Sequence, residues 1–183
     1  MKVLTTAIDG VFIIEPRVFG DSRGYFFESY NAGDFKTQIG LEINFVQDNE
    51  SSSHYGVVRG LHFQLPPFTQ SKLLRCVRGR VLDVAVDIRK NSPTYGKYVT
   101  CELTEENHRQ FFVPKGFAHG FCVLSENAIF QYKCDEFYHP EAEGAIAWND
   151  PDIKIPWPIN ADEIELSEKD KHHPFLKDFI TPF

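Results

Sequence analysis

Residues 81–88 read Val-Leu-Asp-Val-Ala-Val-Asp-Ile, and their period of two is the plainest structural signal in the chain. Leu82, Val84, Val86 and Ile88 fall on one face, while Asp83 and Asp87 share the other with Val81 and Ala85. Just upstream, Arg78-Gly79-Arg80 supplies a glycine turn after the apolar run Leu73–Val77, so residues 73–88 are expected to form a β-hairpin. Working outward, similar runs recur at Val11–Ile14, Tyr25–Tyr30, Ile43–Gln47, Val57–Phe63, Tyr98–Leu103, Gln110–Val113, Gly120–Leu124 and Ala128–Tyr132, broken by Gly, Pro, Asn and Asp. About ten strand-like runs with little helical periodicity predict an all-β sandwich or barrel. Short helices are expected at Asn31–Ile39 and from Ser167 onward.

A chain of 183 residues suits one domain, and no repeat, low-complexity tract or linker interrupts it before Trp148. The proline-rich piece NDPDIKIPWPIN (149–160) and the acidic tail after it then change the texture. Residues 150–183 are expected to wrap the β-core as part of one domain spanning 1–183. Lys and Arg total 19 against 26 Asp and Glu, a formal charge of −7 that offers no broad basic surface for nucleic acid. The opening residues hold only a short apolar run, Val11–Ile14, too little for a signal peptide or a membrane span. Cys76, Cys101, Cys122 and Cys134 are widely separated with no C-x-x-C pair, which favours buried reduced thiols in a cytoplasmic protein over a disulfide or a zinc site.

Two of the seven histidines, His62 and His119, stand in strand-like sequence. In VVRGLHFQ (57–64) strict alternation puts Arg59, Leu61 and Phe63 on one face and Val58, Gly60, His62 and Gln64 on the other. Ten residues on, Lys72 opens the run KLLRCV; pairing of the two strands would bring an imidazole and an ammonium into one cavity, whereas alone Lys72 reads as a solvated strand-edge charge. In FFVPKGFAHGF (111–121), Pro114 and Gly116 force a turn before His119 returns to strand.

Pro-x-Gly-x-x-His at 114–119 resembles the second motif of the cupins, small double-stranded β-helix or jelly-roll barrels. Their first motif asks for a His-x-His pair, and here the place reads His62-Phe63-Gln64. A carboxamide is a poor substitute for imidazole at a transition metal, so no metal and no cofactor is expected, and the chemistry is read as acid–base. The stretches DSRGYFFE (21–28), VQDNES (46–51), VVRGLHFQ (57–64), SKLLRCVRGRVLDVAVDIR (71–89), VPKGFAHGF (113–121), YKCDEFYHPEAEGAIAWNDP (132–151) and LSEKD (166–170) together resemble the dTDP-4-dehydrorhamnose 3,5-epimerase family. The resemblance implies a cupin-like jelly roll with a few short helices, mainly C-terminal.

It also implies a substrate, dTDP-4-keto-6-deoxyglucose, whose C3 and C5 protons are acidified by the C4 ketone. Inversion at those carbons needs a base on one face, an acid on the other and a positive group at the C4 oxygen. By resemblance His62 is the base, an imidazole whose ordinary pKa near ~6.5 suits neutral pH. Lys72 is the cation at O4, Tyr132 the acid, and Asp170 the carboxylate that orients His62. Ser167-Glu168-Lys169-Asp170 also reads as a capping-box-like helix start, which is the competing role for Asp170. Further contacts carried over are Arg23 and Arg59 to the diphosphate, Glu28, Gln47, Asp48 and Asn49 to the nucleotide, and Tyr138 stacked on thymine. Phe26 serves as an apolar wall, Glu143 and Lys169 as ligand contacts, and His119 as a supporting or substrate-contacting group. Family members exchange N-terminal strands in a homodimer, so Arg23 and Glu28 are expected to act across an interface. The competing functions are a mono-epimerase acting at C3 or C5 alone, a nucleotide-sugar-binding module without turnover, and a metal-dependent cupin.

Overall fold

A computed structural model describes residues 1–183. Its strands are β1 (Lys2–Thr5), β2 (Phe12–Glu15), β3 (Phe19–Asp21), β4 (Gly24–Phe26), β5 (Gln47–His54), β6 (Val58–Gln64), β7 (Lys72–Arg78), β8 (Arg80–Asp87), β9 (Tyr98–Thr104), β10 (Gln110–Val113), β11 (Phe117–Val123), β12 (Asn127–Cys134) and β13 (Glu143–Ala145). One sheet runs β1-β2-β10-β7-β12-β5 and the other β13-β6-β11-β8-β9. Every paired strand in them is antiparallel. From β5 onward the chain crosses to the opposite sheet at every step except β8 to β9, the winding of a cupin jelly roll.

That winding overturns the expected 73–88 hairpin. Strand β7 pairs with β10 and β12 in the first sheet, and β8 with β11 and β9 in the second. Gly79 is therefore a corner between sheets. Its φ is +79°, and a Cβ there would sit 2.2 Å from the Asn127 carbonyl oxygen, so neither the conformation nor the space admits a side chain.

The alternation in VLDVAVDI sets the layers. Val81 and Ala85 face the other sheet, joining Leu74, Leu103, Phe111, Phe121 and Phe130 in the central core. Val84, Val86 and Ile88 point the opposite way, onto Leu61, Ile146, Ile153 and Leu176. The C-terminal segment thus covers an apolar sheet face, and burying an aliphatic side chain such as Ile153 or Leu176 is worth about 1.5–3 kcal/mol. On the outer face of the first sheet, Phe35 of α1 (Ala32–Ile39) packs on Ile14, Leu73 and Phe112. Asn31 caps that helix, its side-chain oxygen accepting from Gly33 N and Asp34 N, and Gly40 closes it in the left-handed region.

Two segments depart from their expected form. The strand expected at Ile43–Gln47 begins only at Gln47 and continues through the polar QDNESSSH as β5. Its inward residues line a cleft instead of the apolar core, so composition gave no strand signal there. The helix expected from Ser167 is a single 3₁₀ turn, Asp170–His172, and the Tyr25–Tyr30 run is strand only to Phe26.

Candidate active site

An open cleft of ≈ 720 Å³ lies between the two sheets, bordered by His62 and Gln64 of β6, Lys72 of β7, Gln47 and Asn49 of β5, and Tyr132 of β12. His62 and Lys72 do share a cavity, but across it: β6 and β7 belong to opposite sheets and do not pair.

A bulge places the next residue. His62 pairs with His119 and Arg59 with Phe121, so Gly60 and Leu61 stand opposite Gly120 alone. The extra residue shifts the alternation by one. Arg59, which strict alternation put on the face away from His62, lines with His62, Glu143 and Asp170 a second pocket that adjoins the cleft at His62 and Glu143, and it donates from Nε and Nη2 to Ser53 Oγ at 3.1 and 3.0 Å. Gly60 makes this possible: its φ is +132°, and a Cβ there would lie 2.6 Å from Gly120 Cα.

His62 Nε2 lies 2.6 Å from Asp170 Oδ1. Ser167 Oγ accepts the Asp170 backbone N–H, so the helix-cap role falls to the serine and the Asp170 carboxylate turns to the imidazole. Burial works against the Asp170 charge, but the hydrogen bonds from His62 and His173 outweigh it and hold the carboxyl below its ordinary range. An ionised carboxylate only accepts, so Nε2 carries the proton and Nδ1 of neutral His62 is the free base. His173 was missed in the sequence. Its Nε2 reaches the same Asp170 oxygen at 3.1 Å, and its ring stands edge-on to that of His62. The signal available was its position three residues after Asp170 on one turn.

Across the cleft, Lys72 and Tyr132 project from adjacent strands, with Lys72 Nζ 6.0 Å from the Tyr132 ring centre. Burial lowers the Lys72 pKa against the opposing pull of Cys134, Asp83 and Glu143. Burial also raises that of Tyr132, keeping a protonated phenol at neutral pH. The Cys134 thiol, beside Lys72, is pushed up to about 11 by burial, which leaves it a poor nucleophile.

Behind these groups sits a second imidazole–carboxylate pair, His119 Nε2 to Asp83 Oδ1 at 2.5 Å. Both residues are buried, and burial pushes the Asp83 carboxyl up and the His119 imidazole down. Asp83 Oδ2 is buried without a hydrogen-bond partner. The sign of Asp83 was readable in VLDVAVDI, a carboxylate on the same strand face as Val81 and Ala85.

At the mouth, Tyr138 Oη donates to Glu143 Oε2 at 2.7 Å and Lys169 Nζ to the same oxygen at 2.5 Å. Gln47 Nε2 donates to Asn49 Oδ1. Four expected contacts lie elsewhere in this chain. Asp48 points to the opposite side of β5 from Gln47 and Asn49 and pairs with Lys133 at 2.9 Å, a correction that follows from strand alternation. Arg23 and Phe26 stand on the exposed β3–β4 hairpin, Arg23 paired with Asp21. Glu28 accepts from Asn31 Nδ2 beside α1.

The positions that hold a metal in other cupins do not form a ligand set here. The Nε2 atoms of His62 and His119 are committed to different carboxylates, and the Gln64 amide bonds to loop backbone. His62 Nε2, Asp170 Oδ1 and His173 Nε2 lie within 4.8 Å of one another, an arrangement accounted for by two N–H donors sharing one oxygen.

A jelly roll whose cleft sets an imidazole–carboxylate pair against an ammonium and a phenol on the facing sheet has the groups of a cupin-fold isomerase working by proton transfer. The family model for dTDP-4-dehydrorhamnose 3,5-epimerase matches residues 5–178, and the chain belongs to that family. It is 54% identical over 176 residues to the dTDP-4-dehydrorhamnose 3,5-epimerase of Salmonella typhimurium, covering 96% of each chain. The crystal structure of dTDP-4-dehydrorhamnose 3,5-epimerase from Elizabethkingia anophelis superimposes with a TM-score of 0.93 at 54% identity over 97% of both chains. That of dTDP-6-deoxy-D-glucose-3,5-epimerase from Legionella pneumophila, in complex with dTDP-4-keto-L-rhamnose, gives 0.93 at 49%, covering 96% of this chain and 93% of that one.

Proposed function

We propose that this chain converts dTDP-4-keto-6-deoxy-D-glucose to dTDP-4-keto-L-rhamnose by inverting C3 and C5, a step of dTDP-L-rhamnose formation. The observation that carries the reading is the placement of His62 and Tyr132 on facing sheets with Lys72 beside Tyr132. His62 Nδ1 takes the proton from the carbon next to the ketone, the electron pair moves into the enolate, and Lys72 neutralises the charge on O4. Tyr132 then delivers a proton to the other face of the same carbon. Each inversion leaves His62 with one proton more and Tyr132 with one fewer, and solvent restores both before the next.

Arg59 is assigned to the diphosphate, Gln47, Asn49 and Tyr138 to the nucleotide, Glu143 and Lys169 to the mouth of the site, and His119 to support within the cleft. The chain is read as one domain, 1–183, with 150–183 as its wrap, working in the cytoplasm where four buried thiols stay reduced. No helix is long and apolar enough to cross a membrane. The β3–β4 hairpin pairs only with itself and exposes Phe19, Tyr25 and Phe26, which favours a homodimer in which it docks on a second copy. Arg23, Phe26 and Glu28 would then reach the partner's cleft. Mixing R23A chains with H62N chains tests this, since mixed dimers regain one intact site and activity returns only if the hairpin is exchanged.

The reaction itself is tested by NMR with dTDP-4-keto-6-deoxyglucose in deuterated water. Deuterium at both C3 and C5 is expected. Label at one carbon would mean a mono-epimerase, and retained binding without label a binding module.

A further inference from the structure

The loop that carries Tyr138 is held along its backbone by glutamine side chains. Gln70 Nε2 donates to Glu136 O at 2.8 Å, and Gln64 Nε2 to Phe137 O at 3.0 Å. Tyr138 N donates to Gln47 Oε1 at 2.9 Å, and His139 N to Gln64 Oε1 at 2.6 Å. Four consecutive residues, 136–139, are thus fixed by three glutamines drawn from β5, β6 and the segment before β7. Gln64 reaches further: its Nε2 also donates to Phe68 O at 2.7 Å, and the Phe68 ring stacks on His139 with centroids 3.7 Å apart. Gln64 itself is buried, so each amide atom that lost its partner would be left unsatisfied away from water.

These residues leave β12 and have not yet reached β13, so the sheets do not hold them. The glutamines supply the order that a ladder would otherwise give. Tyr138, about half exposed on this loop, is consequently fixed at the cleft mouth before any ligand arrives, with its hydroxyl on Glu143. A preordered aromatic platform avoids the cost of immobilising it on binding. His62, Lys72 and Tyr132 stand on strands that do not depend on this loop, so its order bears on the nucleotide end of the substrate more than on the reacting carbons.

We propose that Gln64 and Gln70 are positioning residues for nucleotide binding, acting through the 136–139 loop to hold Tyr138 in its stacking pose. Gln64, at the place where metal-dependent cupins carry a ligand, has here become a clamp for the base-binding loop. The proposal rests on the reading of Tyr138 as the residue that stacks on the base.

The test uses the full chain, dTDP as the calorimetric probe, and steady-state kinetics with dTDP-4-keto-6-deoxyglucose. Gln70→Ala, which removes one of the clamping bonds, is expected to raise the Kd for dTDP and the KM about three- to tenfold, the worth of one neutral hydrogen bond, and to lower kcat by less. Gln64→Glu keeps the side-chain volume and one acceptor while losing both donated bonds; it is expected to raise both constants further, with melting curves checking that it folds. In a double-mutant cycle, Gln70→Ala combined with Tyr138→Ala should bind dTDP no more weakly than Tyr138→Ala alone. If Tyr138→Ala weakens dTDP while Gln70→Ala and Gln64→Glu leave Kd and KM unmoved, or the cycle is additive, the clamp proposal is overturned. Unchanged dTDP affinity in Tyr138→Ala would overturn the stacking reading, and the clamp with it.

Discussion

His62 Nε2 and Asp170 Oδ1 meet at 2.6 Å although 108 residues separate them in the chain. The strand supplies the imidazole and the C-terminal wrap supplies the carboxylate, so the covering segment completes the pair proposed as the base. Asp170→Asn keeps the shape and removes the charge that supports the imidazolium formed on proton abstraction. We expect kcat to fall by about 10²–10⁴-fold, measured by deuterium incorporation at C3 and C5. Because the Asp170 carboxyl is held below its ordinary range, the dyad is complete above that range and is lost only as pH falls through the lowered value. An acid limb that followed Asp170 at or above the ordinary carboxylate range would contradict the assignment.

Tyr132→Phe separates the two proton transfers. The variant retains the base and the O4 cation but cannot deliver a proton to the opposite face. Deuterium from solvent should still enter the starting sugar through His62, with retention of configuration, while inverted product falls by about 10²-fold or more. Loss of exchange and inversion in equal measure would give Tyr132 a role before proton abstraction.

With Lys72 as the proposed cation at O4, the basic limb of the pH profile is expected to follow Lys72. Burial lowers its pKa and raises that of Tyr132, so the ammonium loses its proton below the ordinary lysine range while the phenol keeps its own above the ordinary tyrosine range. Activity should decline below the ordinary lysine value of ~10.4. Replacement by arginine, which stays charged, should remove this limb even where the rate itself is reduced. A limb unmoved in Lys72→Arg would assign it to another group.

The inner and outer faces of β8 were legible because an apolar stripe and a period of two leave little choice, and the helix expected at Asn31–Ile39 stands as α1, with Asn31 as its cap. The corner at Gly79 was not, because a glycine turn between two apolar runs looks the same whether the chain folds back in one sheet or crosses to the next. Strand β5 was hidden for a different reason: Gln47, Asn49 and Ser53 line open polar pockets, so burial imposed no apolar pattern. His62, Lys72, Tyr132 and Asp170 came from the family resemblance; alternation alone set Arg59 on the wrong face, since nothing local announces a one-residue bulge.

That bulge gives a stability test. Gly60→Ala would place a methyl 2.6 Å from Gly120 Cα and 2.9 Å from the His119 carbonyl oxygen, at a φ of +132° that a side chain rarely adopts. The contact is with backbone, so no flexible neighbour relieves it. We expect a loss of about 2–4 kcal/mol in chemical denaturation. Whatever folded protein remains should lose activity, because Arg59 and His62 flank the displaced residues. A fully stable and active Gly60→Ala would mean that β6 pairs with β11 in another register.

Asp83→Asn should show stability and function moving apart. The carboxyl is buried with one oxygen unpartnered, and burial raises its pKa, so the charged form weakens the fold at neutral pH. An amide of the same shape buries no charge and its oxygen still accepts from His119, its neutral NH2 taking the unpartnered place at a smaller cost than the charge. The variant should melt at or above the wild type at pH 7, each kcal/mol gained raising Tm by about 2–4 °C. With the folded-state pKa above the unfolded one, the advantage should shrink as pH falls and the wild-type carboxyl takes up its proton. Epimerisation should nevertheless weaken, because Lys72 loses one of the acidic groups that oppose its desolvation. The basic limb assigned to Lys72 should accordingly move to lower pH in Asp83→Asn. A variant that melts lower than wild type at pH 7, with the limb unmoved, would make Asp83 an ordinary structural partner of His119.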